Sequence, residues 1–141
     1  MLFKYPVIAF FALVMGSVLP GCGTTNPTQT GQTAPADSDA VSRLVAERAQ
    51  QRWNALLAGD MDAAYPFISP GGRSLMTLQE YRPRINTSFW RGAKVEKASC
   101  AAEICEVTVL VDMLVEKVKF TSPIKETWIL DAGKWWFVYK G

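Results

Sequence analysis

The side chains best suited to chemistry are the cysteines, three in number: Cys22, Cys100 and Cys105. Cys100 and Cys105 flank Ala101-Ala102-Glu103-Ile104, short enough for a hairpin loop. Such a loop sets its flanking residues opposite each other, within the roughly 4.4–6.8 Å between Cα atoms that a disulfide needs. A redox-active pair has Cys-x-x-Cys spacing at a helix start instead. A zinc site needs about four ligands, and this pair offers two thiols. Two free thiols are unexpected outside the cytoplasm, so Cys100–Cys105 reads as a structural disulfide. Closing so small a loop contributes only about 2 kcal/mol, and its role is to pin the hairpin register. There is no histidine, which excludes histidine-based triads, imidazole metal ligands and histidine pH switches. Proton transfer would fall to carboxylates and phenols, with Asp62, Tyr65, Tyr81, Asp112 and Tyr139 as candidates. Asp112 lies amid apolar strand residues, where burial would make it a general base. Its parity is opposite to that of Val111 and Met113, which points to the solvent face. No catalytic residue is nominated, and no metal or cofactor is implied.

Aromatic side chains supply a second kind of chemistry. Trp135 and Trp136 are neighbours in a strand-like segment and must point to opposite faces. One can fill a core while the other is exposed or covered by a partner. Trp90, beside Arg91, and Trp128 could extend the same surface, so Trp90, Trp128, Trp135 and Trp136 are candidate interface residues. Coverage of both sheet faces, with these aromatics buried, is an equally weighted reading. The charge balance, 15 basic against 13 acidic side chains for a formal +2, is too small to argue for a nucleic-acid partner.

The elements that must position these residues fall into two groups. Val41, Val45, Ala49, Trp53 and Leu57 recur every four residues, with Leu44 and Leu56 widening the stripe, the pattern of a helix facing a core. Arg43, Glu47, Arg48, Gln51, Arg52 and Asn54 fall on its other faces, and Gly59 ends it. A second short helix is expected over 60–67. Ser69-Pro70-Gly71-Gly72 reads as a loop, and Thr77-Leu78-Gln79-Glu80 as a capping box opening a third helix. From Phe89 the texture is that of strands. Phe89 to Cys100 and Cys105 to Val118 are two, and Val107, Val109, Val111, Met113 and Val115 alternate with period two. Ile124, Glu126, Trp128 and Leu130 alternate likewise, and Asp131-Ala132-Gly133-Lys134 makes a hairpin turn into a last strand whose bulky face is Trp135, Phe137 and Tyr139. Helices followed by antiparallel strands predict an α+β domain over 39–141, its helices packed on one face of a curved sheet of about four strands.

The N-terminus has a positive Lys4, a mostly apolar run from Tyr5 to Leu19, and then Pro20-Gly21-Cys22, the layout of a secretory signal peptide. The run is shorter than the roughly 20 residues a membrane-spanning helix needs. Leu19-Pro20-Gly21-Cys22 resembles the lipobox of bacterial lipoproteins, matching at Leu19, Gly21 and Cys22, with Pro20 where that family has Ala, Ser or Thr. The resemblance implies cleavage after residue 21 and lipidation of Cys22. Acyl chains buried at roughly 0.8 kcal/mol per methylene would then hold the protein on a bilayer. Gly23 after the lipidated cysteine implies the outer membrane, facing the periplasm, in a Gram-negative cell. Residues 22–38 are rich in Thr, Pro and Gly and read as a flexible linker.

Arg52-Trp53-Asn54-Ala55-Leu56-Leu57-Ala58-Gly59-Asp60 running into Ala63-Ala64-Tyr65, with the closing Trp128-Ile129-Leu130 and Gly133-Lys134-Trp135-Trp136, resembles the nuclear transport factor 2-like superfamily. That superfamily includes ketosteroid isomerases and SnoaL-type cyclases. The resemblance implies a cone-shaped α+β fold with a pocket between helices and sheet. The expected function is that of a lipid-anchored envelope protein acting as a non-catalytic binding or assembly module, its partners the membrane and either an envelope protein or a second copy. The alternative is a small-ligand pocket with isomerase- or cyclase-like chemistry.

Overall fold

The computed structural model describes residues 35–141, so the expected signal peptide, Cys22 and residues 22–34 of the linker lie outside the described residues. Helix α1 spans Pro35–Leu57, beginning four residues before the expected boundary at Asp39. Proline is suited to the first turn of a helix because its missing N–H would have no partner there. Val45, Ala49 and Trp53 are buried at the four-residue spacing with Leu56 beside them, whereas Val41 and Leu57 are half-buried and Leu44 is exposed. The helix ends where Gly59 takes a φ of +70°. There Gly59 N–H donates to Leu56 O and Asp60 N–H to Ala55 O, the paired bonds that close a helix through a left-handed residue. Asp60 then caps the next helix, α2 (Met61–Ala64), by accepting from Ala63 N–H at 2.9 Å. One Gly-Asp pair thus stops one helix and starts another. A single 3-10 turn, Tyr65–Phe67, follows.

Ser69-Pro70-Gly71-Gly72 is not a loop but the start of helix α3 (Pro70–Leu75). Ser69 accepts from Gly72 N–H at 3.1 Å and Pro70 occupies the first turn, so the capping chemistry outweighs the helix-breaking tendency of two glycines. Helix α4 (Leu78–Tyr81) opens on the expected capping box, with Thr77 and Glu80 bonded reciprocally, and Pro83 falls in the 3-10 turn Arg82–Arg84 that follows.

Four strands, β1 (Trp90–Ala101), β2 (Ile104–Val115), β3 (Val118–Asp131) and β4 (Lys134–Phe137), pair in sequence order as one antiparallel sheet. Helices on one face of that sheet make the expected α+β architecture. The strand expected over 105–118 ends earlier, because Glu116 and Lys117 both take positive φ and turn the chain into β3. Cys100 and Cys105 are direct cross-strand partners, joined by a disulfide with 4.0 Å between their Cα atoms, a little closer than the expected range. Val107, Val109 and Val111 are buried on the inner face, and Asp112 is exposed on the other, where it accepts from Thr121 Oγ1 at 2.6 Å.

Both outer strands are bonded by the helical layer. Gln50 of α1 accepts from Val95 N–H at 2.9 Å and donates to Ala93 O at 3.0 Å, occupying the free edge of β1. Arg48 Nε donates to Trp135 O at 3.1 Å and Ser69 N–H to Phe137 O at 2.9 Å, which does the same for β4. Strand β3 runs well past β4, whose pairing covers only Trp128–Asp131. Thr127 turns its carbonyl toward β4, accepting from Val138 N–H. By alternation Pro123 faces the same open side, where it offers no N–H for another strand to bond.

The β2–β3 turn places two non-glycine residues in the left-handed region, Glu116 at φ 48° and Lys117 at φ 71°. Hairpin turns of this kind favour Asn-Gly or Asp-Gly because only such residues accept that conformation cheaply. Lys117→Gly is expected to raise the urea midpoint, by about 0.5–1 kcal/mol of stability. A lowered midpoint contradicts that assignment of strain.

Candidate functional site

The interior between α1 and the sheet contains an ion pair. Arg52 lies next to Trp53 on α1, and Glu126 occupies the inward series of β3 between Ile124 and Trp128. Arg52 Nη1 meets Glu126 Oε1 at 2.6 Å, with the two side chains only 5% and 3% exposed. Trp53 Nε1 donates to the same oxygen at 2.8 Å and Trp128 Nε1 donates to Oε2 at 3.0 Å. The guanidinium carbon stands 3.7 Å from the centre of the Phe137 ring. A carboxylate without water needs an opposite charge and several donors to stay ionised at tolerable cost, and these three donors with the cation–π contact supply them.

The same residues wall a cavity of about 220 Å³, whose lining includes Arg52, Trp53, Trp90, Glu126, Phe137 and Tyr139. Two buried donors in this region, Arg52 Nε and Trp90 Nε1, have no hydrogen-bond acceptor, while the Tyr81 hydroxyl lies against the Arg52 guanidinium. Tyr81 comes from α4 and packs against Tyr65 and Tyr139, with ring centres 5.6 and 5.7 Å away. Burial pushes its phenol above the ordinary value, against the opposing pull of the Arg52 charge and a hydrogen bond from the same guanidinium. A larger depression of about 520 Å³ lies around Arg91, Asp112, Lys119 and Thr121. Its polar side chains are all exposed, so it lacks the desolvated groups that give the inner cavity its chemistry.

The sequence candidates are distributed unevenly around this cluster. Trp128 is fully buried and Trp135 is 5% exposed. Both belong to the core, a correction to their expected place at an interface, because the helical layer covers the sheet face onto which their parity turns them. Trp90 is half-buried, its ring centre 5.0 Å from that of Trp53. Trp136 alone of the four takes the outer face, aligned across the strands with Ile129 and Ile104. Its Nε1 donates to Asp131 O at 3.0 Å and its ring lies under the Arg73 guanidinium. Asp62 is exposed and paired with Arg82, Tyr65 donates to Met76 O at 2.6 Å, and Tyr139 is half-buried on the cavity wall. Arg52, expected on the polar side of its helix, is buried, and Glu126 was not a candidate at all. Its signal was its place at a core parity position between two large apolar residues. Among the described residues no helix is long and apolar enough to cross a membrane.

No protein-family model matches this chain, and no curated protein matches it. Among solved structures, it is similar to a SEC-C motif-containing protein from Rhodopseudomonas palustris, with a TM-score of 0.54 and 16% identity over 71% of this chain and 77% of that one. A second SEC-C motif-containing protein, from Psychrobacter arcticus, matches with a TM-score of 0.52 and 11% identity over 63% of this chain and 55% of that one. A chain named as an NTF2-like transpeptidase, from Campylobacter jejuni, matches with a TM-score of 0.48 and 14% identity over 67% of this chain and 96% of that one. At these identities the likeness is one of fold.

The phenol of Tyr81 gives the cluster a pH signature. The folded state holds that proton more tightly than the unfolded chain does. Its contribution to stability is therefore complete below about pH 10 and is lost as the pH rises further. In an ultraviolet titration of the folded protein one tyrosinate is expected to form later than the rest, and Tyr81→Phe is expected to remove that late step and flatten the alkaline loss of stability. Near pH 7 the same variant is expected to cost about 1 kcal/mol, since the hydroxyl it removes meets the Arg52 guanidinium. An unchanged titration in Tyr81→Phe contradicts the assignment.

Proposed function

We propose that this chain is a lipid-anchored cell-envelope protein, held to the membrane through Cys22 and facing the periplasm, whose domain works as a non-catalytic binding module. The observation that carries the non-catalytic part is the state of Glu126. Both of its oxygens accept hydrogen bonds, from Arg52, Trp53 and Trp128, so the buried carboxylate is held in place by the protein's own donors. General base catalysis needs such a group within hydrogen-bond reach of a substrate proton. What the cavity presents is aromatic faces, among them Trp53, Trp90, Phe137 and Tyr139, a surface for holding a molecule. The anchor is supported by the apolar run ending at Leu19-Pro20-Gly21-Cys22, and it agrees with a disulfide between Cys100 and Cys105, a bond of oxidising compartments.

Intact-mass spectrometry of the protein extracted from its native membranes, with and without reductant, tests the anchor. The expected mass is that of residues 22–141 plus acyl chains, increasing by two hydrogens on reduction. An unmodified mass, or one that retains residues 1–21, contradicts it.

A further inference from the structure

We infer that the end of the β2–β3 hairpin is a membrane-contact site that dips into an anionic bilayer. The inference rests on the lipid-anchor reading and adds to it a second point of contact, made by the domain itself. Its first support is exposed apolar surface gathered in one place. Val115 is 43% exposed, Val118 62% and Phe120 45%. Val115 pairs with Val118 and Met113 with Phe120 across the hairpin, so by alternation all four side chains share one face. That face buries Val109 and Val111 in the core and becomes exposed toward the end of the hairpin. Exposed apolar residues scattered singly are ordinary, whereas a contiguous group marks a surface that something covers.

The second support is charge. Lys117 lies in the turn, and Arg91 and Lys119 line a depression of about 520 Å³ together with Met113, Leu114 and Phe120. All three cations are exposed, and neither ion pair among the described residues uses them. The nearby carboxylates are Glu116 in the turn and Asp112, which accepts from Thr121 Oγ1. Cations set around an apolar tip fit anionic headgroups above an acyl boundary. A second copy would instead set the same cations against one another. The third support is reach. Helix α1 runs against β1, with Gln50 bonded to Ala93 and Val95 and Trp53 packed on Trp90. Its first residue, Pro35, therefore lies toward the Cys100–Cys105 end of the sheet, opposite the hairpin. The 23-residue helix is about 35 Å long at 1.5 Å per residue. Residues 22–34 can extend to about 43 Å at 3.3 Å per residue, enough for anchor and hairpin to meet one bilayer.

The test uses the protein extracted from its native membranes and reconstituted in liposomes of phosphatidylcholine, alone or with about a third phosphatidylglycerol. A brief pulse of an amine-acetylating reagent, read by peptide mass spectrometry, compares Lys117 and Lys119 with Lys140, which lies beside Leu75 and Arg84. Labelling of the hairpin lysines relative to Lys140 is expected to fall about fivefold with phosphatidylglycerol. It is expected to recover in the double variant Val118→Ser, Phe120→Ser. Both positions are exposed, and circular dichroism checks that the variant keeps its fold. Equal labelling in the two kinds of liposome, the result a second copy on the patch would give, overturns the inference. Protection that persists in the folded variant overturns it as well. The intact mass of the same sample keeps the two readings apart. A lipidated mass without protection overturns the hairpin contact and leaves the anchor standing. An unlipidated mass overturns the anchor, and the same labelling with liposomes added then judges the hairpin alone.

Discussion

A charge buried between a helix and a sheet has to be matched at the place where it is buried, and here Arg52 and Glu126 match each other. The pair ties α1 to β3 through a bond that tolerates little displacement, since Glu126 also accepts from one indole on each side, Trp53 on the helix and Trp128 on its own strand. The remaining contacts of α1 are arranged around it. Arg48 bonds β4, Gln50 bonds β1 and Arg52 bonds β3, so alternate polar residues of a single helical segment reach three different strands. Apolar burial of Val45, Ala49, Trp53 and Leu56 supplies the general driving force, but it is non-directional. The polar bonds specify where along the sheet the helix lies and thereby shape the cavity.

The sheet brings its own constraints to that arrangement. A disulfide links β1 and β2 next to their turn, and all three hairpin turns use positive φ, at Ala102, at Glu116 and Lys117, and at Ala132 and Gly133. These local devices fix register, and register decides that Glu126 faces inward. A slip of one residue would turn the carboxylate to solvent and leave Arg52 unmatched.

Local patterns were well expressed in the sequence. The apolar stripe of α1, the Gly59 stop, the capping box at Thr77, the alternation along β2 and β3 and the Ala132-Gly133 turn all depend on neighbours within a few residues, and all are present. The cysteine pairing belongs to the same class. Features that depend on the meeting of distant segments were hidden. Arg52 looked like a solvated helix residue because polarity alone assigned its side of the helix, and only a carboxylate from residue 126 makes its burial tolerable. Glu126 stood in an inward alternation that was read as a strand pattern and not as a warning of a buried charge. Trp128 and Trp135 followed the inward parity, yet that parity does not reveal which face the helices cover. The Ser69 segment misled through composition, since glycine suggests a loop while serine followed by proline equally begins a helix.

The proposed binding role rests on what the buried pair leaves available, an interior whose carboxylate has both oxygens engaged by the protein's own donors. That account depends on Arg52 and Glu126 acting as one unit, and a double-mutant cycle with Arg52→Met and Glu126→Gln measures it directly, since glutamine keeps a carbonyl for the indoles. Each single variant is expected to lose about 3 kcal/mol or more, because it strands the partner's charge or bonding groups in the core. The double variant is expected to lose less than the sum, by at least about 2 kcal/mol. Additive losses, or single variants as stable as the parent, would contradict the claim that this pair organises the fold.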